Sequence, residues 1–165
     1  MSLKEIKEYA RTEIKKGVSK RDIEKELSKK YRGGLYKSIL NQYPETSLIK
    51  KYNKYNNVLI TLIVISAILK VVTIFLIDLN LIILGAIALF AVLVSYVVID
   101  LIRNYQKNGY IIVGLLGIVG LLNFGYSFES TITTLVYLIF IIYGLSIPIL
   151  AFFLYKRLFP KNINH

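Results

Sequence analysis

Residues 58–77 read VLITLIVISAILKVVTIFLI, an apolar run interrupted by a single charge, Lys70. A helix needs about 20 apolar residues to cross the hydrocarbon core of a bilayer, because lipid offers no hydrogen-bond partner to unpaired backbone groups. This stretch therefore predicts a membrane-spanning helix.

Three further apolar stretches follow, at residues 81–102, 110–124 and 132–155, and the second of these three is the shortest. The links between them are short, so neighbouring spans are expected to run antiparallel. The 165 residues are 55% hydrophobic with a mean hydropathy of +0.57, which is high for a soluble domain. The sequence predicts an all-α membrane domain over residues 58–155, with four transmembrane helices arranged as two hairpins.

Basic residues lie at one side of these spans. Residues 1–57 contain fifteen Lys and Arg against seven Asp and Glu, the second link contains Arg103 and Lys107, and the tail at residues 156–165 is also basic. The first and third links contain acids and no Lys or Arg. Cytoplasmic loops are enriched in Lys and Arg, so a multi-pass protein of the cell membrane with both termini in the cytoplasm is expected.

Before the spans, residues 1–49 show helical periodicity. They predict one helix over residues 3–16 that ends at Gly17, a second helix capped by Ser19, and a short third helix that stops before Pro44. We therefore expect a small, basic, cytoplasmic three-helix head.

The run GVSKRDIEKEL at residues 17–27 resembles the turn and second helix of small three-helix modules, among them helix-turn-helix and ubiquitin-associated-like ones. A helix-turn-helix would place the third helix in the major groove of DNA. Its candidate contacts would be Tyr36, Lys37, Ser38, Asn41 and Gln42. Because bases alternate with acids along the head, a protein or lipid surface is the preferred partner over nucleic acid.

Residues 50–57, KKYNKYNN, form a polybasic juxtamembrane segment. Lys50, Lys51 and Lys54 alternate with tyrosines at the expected depth of anionic headgroups, where each lysine gains about 1 kcal/mol. We expect the segment to lie on the inner leaflet, either as a topology anchor or as a lipid sensor. Lys37 and Arg32 of the head are assigned to the same lipid or partner surface.

Two ionisable side chains fall within the predicted spans, Lys70 and Asp100. A charge at the bilayer centre costs at least about 2.5 kcal/mol, so each requires an explanation. Asp100 is expected to pair with Arg103 at the membrane surface. Lys70 is expected either to extend outward to the membrane surface or to face inward. Its candidate polar partners are Asn123, Asp78 and Glu129.

Small residues indicate where helices can approach closely. These are Gly114, Gly117 and Gly120 in the third span, and Ala91 and Ser95 in the second. They predict close helix packing, either within the bundle or in a homo-oligomer, and a pore lining is the alternative. Pro148 is expected to bend the fourth span in its cytoplasmic half.

The composition argues against most enzyme classes. The chain has no cysteine and one histidine, at the last position, and it contains no HExxH, GxSxG or P-loop pattern. We expect no catalytic activity, no cofactor and no bound metal ion. Small four-span drug exporters resemble the chain poorly, because they have a membrane-embedded Glu in the first span, where this chain has Lys70, and they lack a large head.

The leading hypothesis is a non-enzymatic membrane protein whose basic head recruits or senses a cytoplasmic protein or an anionic lipid at the inner leaflet. One alternative is an oligomeric channel or small-solute transporter for anions, with Lys70 and the Gly-rich third span along the path. A second alternative is a membrane-tethered DNA-binding regulator.

Overall fold

The computed structural model describes residues 3–31, 34–75, 81–122 and 131–160. These residues form seven helices and no strand, which confirms the all-α prediction for the described part of the chain. The helices are α1 (Leu3–Lys16), α2 (Lys20–Lys30), α3 (Leu35–Leu40), α4 (Thr46–Phe75), α5 (Leu81–Arg103), α6 (Lys107–Leu122) and α7 (Thr131–Leu158).

Helices α1 to α3 pack together around a small apolar core, and we call residues 3–45 the head. Gly17 ends α1 with a φ of 91°, a conformation that costs glycine little. Ser19 caps α2, because its hydroxyl accepts a hydrogen bond from the Asp22 amide at 3.2 Å. The buried core residues are Ile6, Ala10, Ile14, Ile23, Leu27, Tyr36, Ile39, Leu40 and Tyr43.

Helix α4 begins at Thr46, well before the predicted first span. The Glu45 carbonyl accepts the Leu48 and Ile49 amides at 3.0 Å and so starts the helix. Because neither glycine nor proline follows up to Phe75, residues 50–57 continue the same helix as the apolar stretch. The polybasic segment is therefore a helical extension of the first span.

Three helices of the described chain, α4, α5 and α7, are long and apolar enough to cross a membrane. Helix α6 is apolar but has 16 residues. At 1.5 Å per residue it extends about 24 Å, less than the roughly 30 Å of a hydrocarbon core. The sequence predicted four clear spans, but the third one, α6, is shorter than a clear span requires.

Helices α4 to α7, which we call the four long helices, form a ring. Helix α4 packs against α5 and α7, and α6 packs against the same two helices. The core of the ring near the head is made of Tyr52, Leu59, Ile63, Val98, Ile102, Tyr110, Val113, Ile147, Ala151, Leu154 and Leu158. The outer faces are apolar as well; Ile82 and Phe90 of α5, for example, are largely exposed. An exposed apolar surface of this extent is suited to contact with lipid.

Close packing of α6 against α7 depends on glycine. A Cβ at Gly117 would lie 2.8 Å from Pro148 Cδ, and one at Gly114 would lie 2.8 Å from the Phe152 ring. Both distances are too short for any real side chain. The third-span glycines at these positions thus provide the close approach of one helix to its neighbour.

Candidate functional site

The head rests on the ends of the long helices, at the link between α5 and α6. The Gln42 carbonyl accepts the Lys107 amide at 3.0 Å, which joins the end of α3 to the start of α6. Arg11 of α1 lies 3.7 Å from Asp100 near the end of α5. These two contacts place the head beside α5 and α6, so that side chains from the head and from these helices can surround one site.

Asp100 does not have the partner that the sequence suggested. We expected Arg103, one turn further along the same helix, but the carboxylate pairs with Arg11 of the head. It also accepts the Asn104 amide at 2.9 Å. Spacing along a single helix predicts only local pairs, whereas the approach of α1 depends on tertiary packing.

A cleft of about 960 Å³ lies between the head and the ends of α6 and α7. We call it the basic cleft. Within the described residues its charged members are Lys20, Lys107, Lys156 and Glu45. Its aromatic members are Tyr43, Phe152, Tyr155 and Phe159. The cleft thus combines positive charge with a largely apolar floor.

The three lysines come from different elements, Lys20 from α2, Lys107 from α6 and Lys156 from α7. Lys20 donates a hydrogen bond to the Tyr43 carbonyl at 3.1 Å. Burial lowers the pKa of Lys20, while the carboxylates of Glu45 and Glu24 act in the opposite direction. The Lys107 ammonium lies 5.7 Å from the centre of the Tyr155 ring, a cation–π contact. Two of the three ammonium groups are therefore held against the protein.

A second opening lies at the same junction and also borders Tyr43. It has a volume of about 360 Å³, and three bases of the head, Lys4, Lys7 and Arg11, line it. Their spacing of three and four residues places them on one face of α1. This basic face is turned toward the α5–α6 link, because Gln106 lines the same opening.

A buried group of hydrogen bonds, which we call the amide network, joins α4 to the α5–α6 region. Asn56 is 1% exposed and accepts the hydroxyl of the fully buried Tyr110 at 2.6 Å. Its amide nitrogen is 3.4 Å from the Ile102 carbonyl. Nearer the surface, the Tyr105 hydroxyl donates to Asn53 at 2.6 Å. The two Asn–Tyr pairs hold the first span against its neighbours at the head end.

Four of the predicted intramembrane residues border one cavity of about 450 Å³ among the long helices. They are Lys70, Ala91, Ser95 and Gly117. The Ser95 hydroxyl donates to the Ala91 carbonyl at 2.8 Å, within its own helix. Ala91 and Ser95 therefore line an open space, whereas Gly117 also contacts α7.

The remaining predicted residues that the structure describes do not line the basic cleft. Lys50, Lys51 and Lys54 are exposed on α4, and Lys37 lies 3.8 Å from Glu24 within the head. Pro148 lies inside α7, and Gly120 lies in α6. Arg32 and Asn123, with the proposed Lys70 partners Asp78 and Glu129, are outside the described residues.

Several of the candidate DNA-contacting residues contact other parts of the protein instead. Tyr36 is in the core of the head, Asn41 lines the basic cleft, and Gln42 binds the start of α6 through its carbonyl. The end of α3 is thus turned toward α6 and α7.

No group of three or more His, Cys, Asp or Glu that could hold a metal ion is found in the described part of the chain. The chain matches no protein-family model, no curated protein and no solved structure. The chemistry available at the junction is that of ammonium groups, aromatic rings and amides.

Proposed function

We propose that the chain is an integral membrane protein that binds the headgroup of an anionic lipid in the basic cleft, at the inner face of the membrane. In this proposal all four long helices lie in the bilayer, and both termini are cytoplasmic. The distribution of Lys and Arg over the head, the second link and the tail supports this orientation. The short α6 would cross with its ends near the interfaces, which lipids accommodate by local thinning.

The basic cleft is the observation on which the proposal depends. Lys107 and Lys156 stand at the head-side ends of two spans, and Lys20 faces them from the head. In the proposed orientation this is the level of the lipid phosphates, where basic pockets between spans bind anionic headgroups. Phe152 is one turn before Lys156 on α7 and lines the same cleft, so that it offers an apolar surface to an acyl chain.

A lipid fits this site better than a soluble protein partner does. Two walls of the basic cleft belong to membrane-spanning helices, so that its occupant must reach the depth of the bilayer surface. A headgroup with attached chains satisfies the ammonium groups and the apolar floor together. Recruitment of a cytoplasmic protein by the head would use its outer face, on which Arg21, Lys25 and Lys29 of α2 are exposed.

The orientation can be tested directly because the chain has no cysteine. A cysteine introduced as Lys25→Cys in the head is expected to react with a membrane-impermeant thiol reagent only after cells are permeabilised. A cysteine introduced as Glu129→Cys in the third link is expected to react in intact cells. Labelling of the head in intact cells would contradict the proposed topology.

Lipid binding can be tested on the full chain purified in mild detergent. Phosphatidylglycerol, titrated and counted by native mass spectrometry, is expected to bind more tightly than phosphatidylcholine. The triple variant Lys20→Gln, Lys107→Gln, Lys156→Gln should lose this preference. Arg21→Gln, Lys25→Gln, Lys29→Gln removes the same charge from the outer face and should retain it.

An equal loss of binding in both triple variants would mean that net charge, and not the basic cleft, attracts the lipid. Unchanged binding in the cleft variant would also refute the proposal. Circular dichroism of both variants establishes that the helices are retained, so that loss of binding is not loss of fold.

The cavity beside Lys70 favours a second candidate function, passage of a small anion through the bundle. Lys70, Ser66 and Ser95 supply polar groups to a space whose other lining residues are apolar. Anion flux into liposomes that is abolished by Lys70→Leu, but not by Lys54→Leu at the membrane surface, would favour this function. Absence of flux above that of protein-free liposomes would exclude it.

A further inference from the structure

We infer that the lipid of the basic cleft carries two separate phosphodiesters, as in cardiolipin, rather than one phosphodiester or a compact diphosphate. This inference rests on the proposed lipid-binding function and specifies its ligand class. It follows from the charge of the basic cleft, the separate origin of its lysines and its size.

The charge of the basic cleft matches two negative groups. Among the described residues that line it there are three lysines and one acid, Glu45, which leaves a net charge of +2. Glu45 acts on Lys20, whose pKa it raises against the effect of burial. The uncompensated charges are therefore those of Lys107 and Lys156. A lipid with one phosphodiester would pair with one of these two ammonium groups, whereas two phosphodiesters pair with both.

The two uncompensated lysines are on different helices. Lys107 is the first residue of α6, whose N-terminus adds a partial positive charge, and Lys156 is in the last turn of α7. Two phosphates joined by a glycerol can approach both ammonium groups at once.

The volume agrees with a large headgroup. About 960 Å³ is near the upper limit for a small-molecule site, which usually encloses 300–1,000 Å³. The apolar part of the floor is contributed by Leu48 of α4 and by Phe152 and Phe159 of the α7 end. Acyl chains from both halves of a two-phosphate lipid therefore have apolar surface beside them.

The test compares lipids at equal total charge in the full chain. Native mass spectrometry would titrate cardiolipin, phosphatidylglycerol at twice its molar amount, and a polyprenyl diphosphate, with phosphatidylcholine as the neutral lipid. Cardiolipin is expected to bind about fivefold more tightly than phosphatidylglycerol, the gain from pairing one more phosphate with a lysine at the membrane surface.

The double variant Lys107→Gln, Lys156→Gln leaves the Lys20–Tyr43 hydrogen bond in place and should abolish this preference. The control Lys25→Gln, Lys29→Gln has the same net charge and should keep it. Circular dichroism before each titration restricts the comparison to folded protein.

The outcomes separate the two proposals. If cardiolipin and phosphatidylglycerol bind equally, and both bind less well to the cleft variant, the two-phosphate inference is wrong while anionic-lipid binding stands. If polyprenyl diphosphate binds more tightly than cardiolipin, a compact diphosphate is the ligand and the inference is also wrong. If none of the anionic lipids distinguishes the cleft variant from its control, both proposals are wrong.

Discussion

Replacement of Tyr110 by phenylalanine tests whether the amide network stabilises the bundle. The variant removes one hydroxyl and leaves the Asn56 side-chain oxygen without its donor at a position that is 1% exposed. A buried polar group without a partner costs about 1–3 kcal/mol. Hydrogen bonds between membrane helices average about 0.6 kcal/mol and reach about 1.7 kcal/mol.

We therefore expect Tyr110→Phe to lower the free energy of unfolding by about 1–1.7 kcal/mol, at the upper end of the membrane range because both Tyr110 and Asn56 are buried. This corresponds to about a tenfold change in the unfolding equilibrium. The measurement is a denaturant titration in mixed micelles followed by far-ultraviolet circular dichroism, because the described chain is helical.

Tyr105→Phe is the matched control. It removes a hydroxyl that makes a hydrogen bond of the same length, 2.6 Å, but to the exposed Asn53. Water can hydrate Asn53 in the variant, so the expected loss is below about 0.5 kcal/mol. The double variant Tyr110→Phe, Asn56→Leu removes both buried partners and should be more stable than Tyr110→Phe alone.

Equal losses for Tyr110→Phe and Tyr105→Phe would refute this reasoning, since burial would then make no difference. A double variant less stable than Tyr110→Phe would show that Asn56 stabilises the bundle mainly through contacts other than this hydroxyl.

Three further predictions concern packing, pH and the head contact. Gly117→Leu should destabilise the bundle by about 1–3 kcal/mol through overpacking. Gly85→Leu should not destabilise it, because a Cβ at Gly85 would have no neighbouring atom within 4 Å. The same denaturant titration measures both variants. Because burial lowers the pKa of Lys20, lipid affinity should begin to fall at a pH below the ordinary lysine pKa of about 10.4. Lys20→Arg, which stays charged, should reduce that fall in a pH series of binding titrations. Arg11→Gln and Asp100→Asn should each change the free energy of unfolding by less than about 1 kcal/mol, since their side chains are 39% and 51% exposed, and a larger loss would identify this pair as a principal anchor of the head.

The helices of the head were predictable because their signals are local. Gly17 and Ser19 stop and start helices through backbone conformation and a hydrogen bond three residues away, and both act in the structure as expected. The start of α4 was missed for the same reason. Residues 50–57 are polar, and hydropathy alone gave no reason to join them to the apolar helix that follows.

The candidate site was not predictable to the same extent. Lys20, Lys107 and Lys156 are far apart in the sequence, and each one alone is an ordinary basic residue of a cytoplasmic segment. Asp100 illustrates the difference, since its sequence neighbour Arg103 was the expected partner and the distant Arg11 is the observed one. The intramembrane residues were more predictable. The sequence indicates Lys70, Ser95 and Gly117 as candidates, and these three residues border one cavity.

By itself, the sequence determined the helical class, the apolar stretches and the asymmetric distribution of positive charge, because each depends on side-chain chemistry repeated over neighbouring residues. Tertiary structure alone decided that the head lies against α6 and α7, that Asn56 meets Tyr110, and that three lysines and four aromatic rings surround one cleft. Such contacts join residues far apart in the chain, and their formation depends on how whole helices pack rather than on any local pattern.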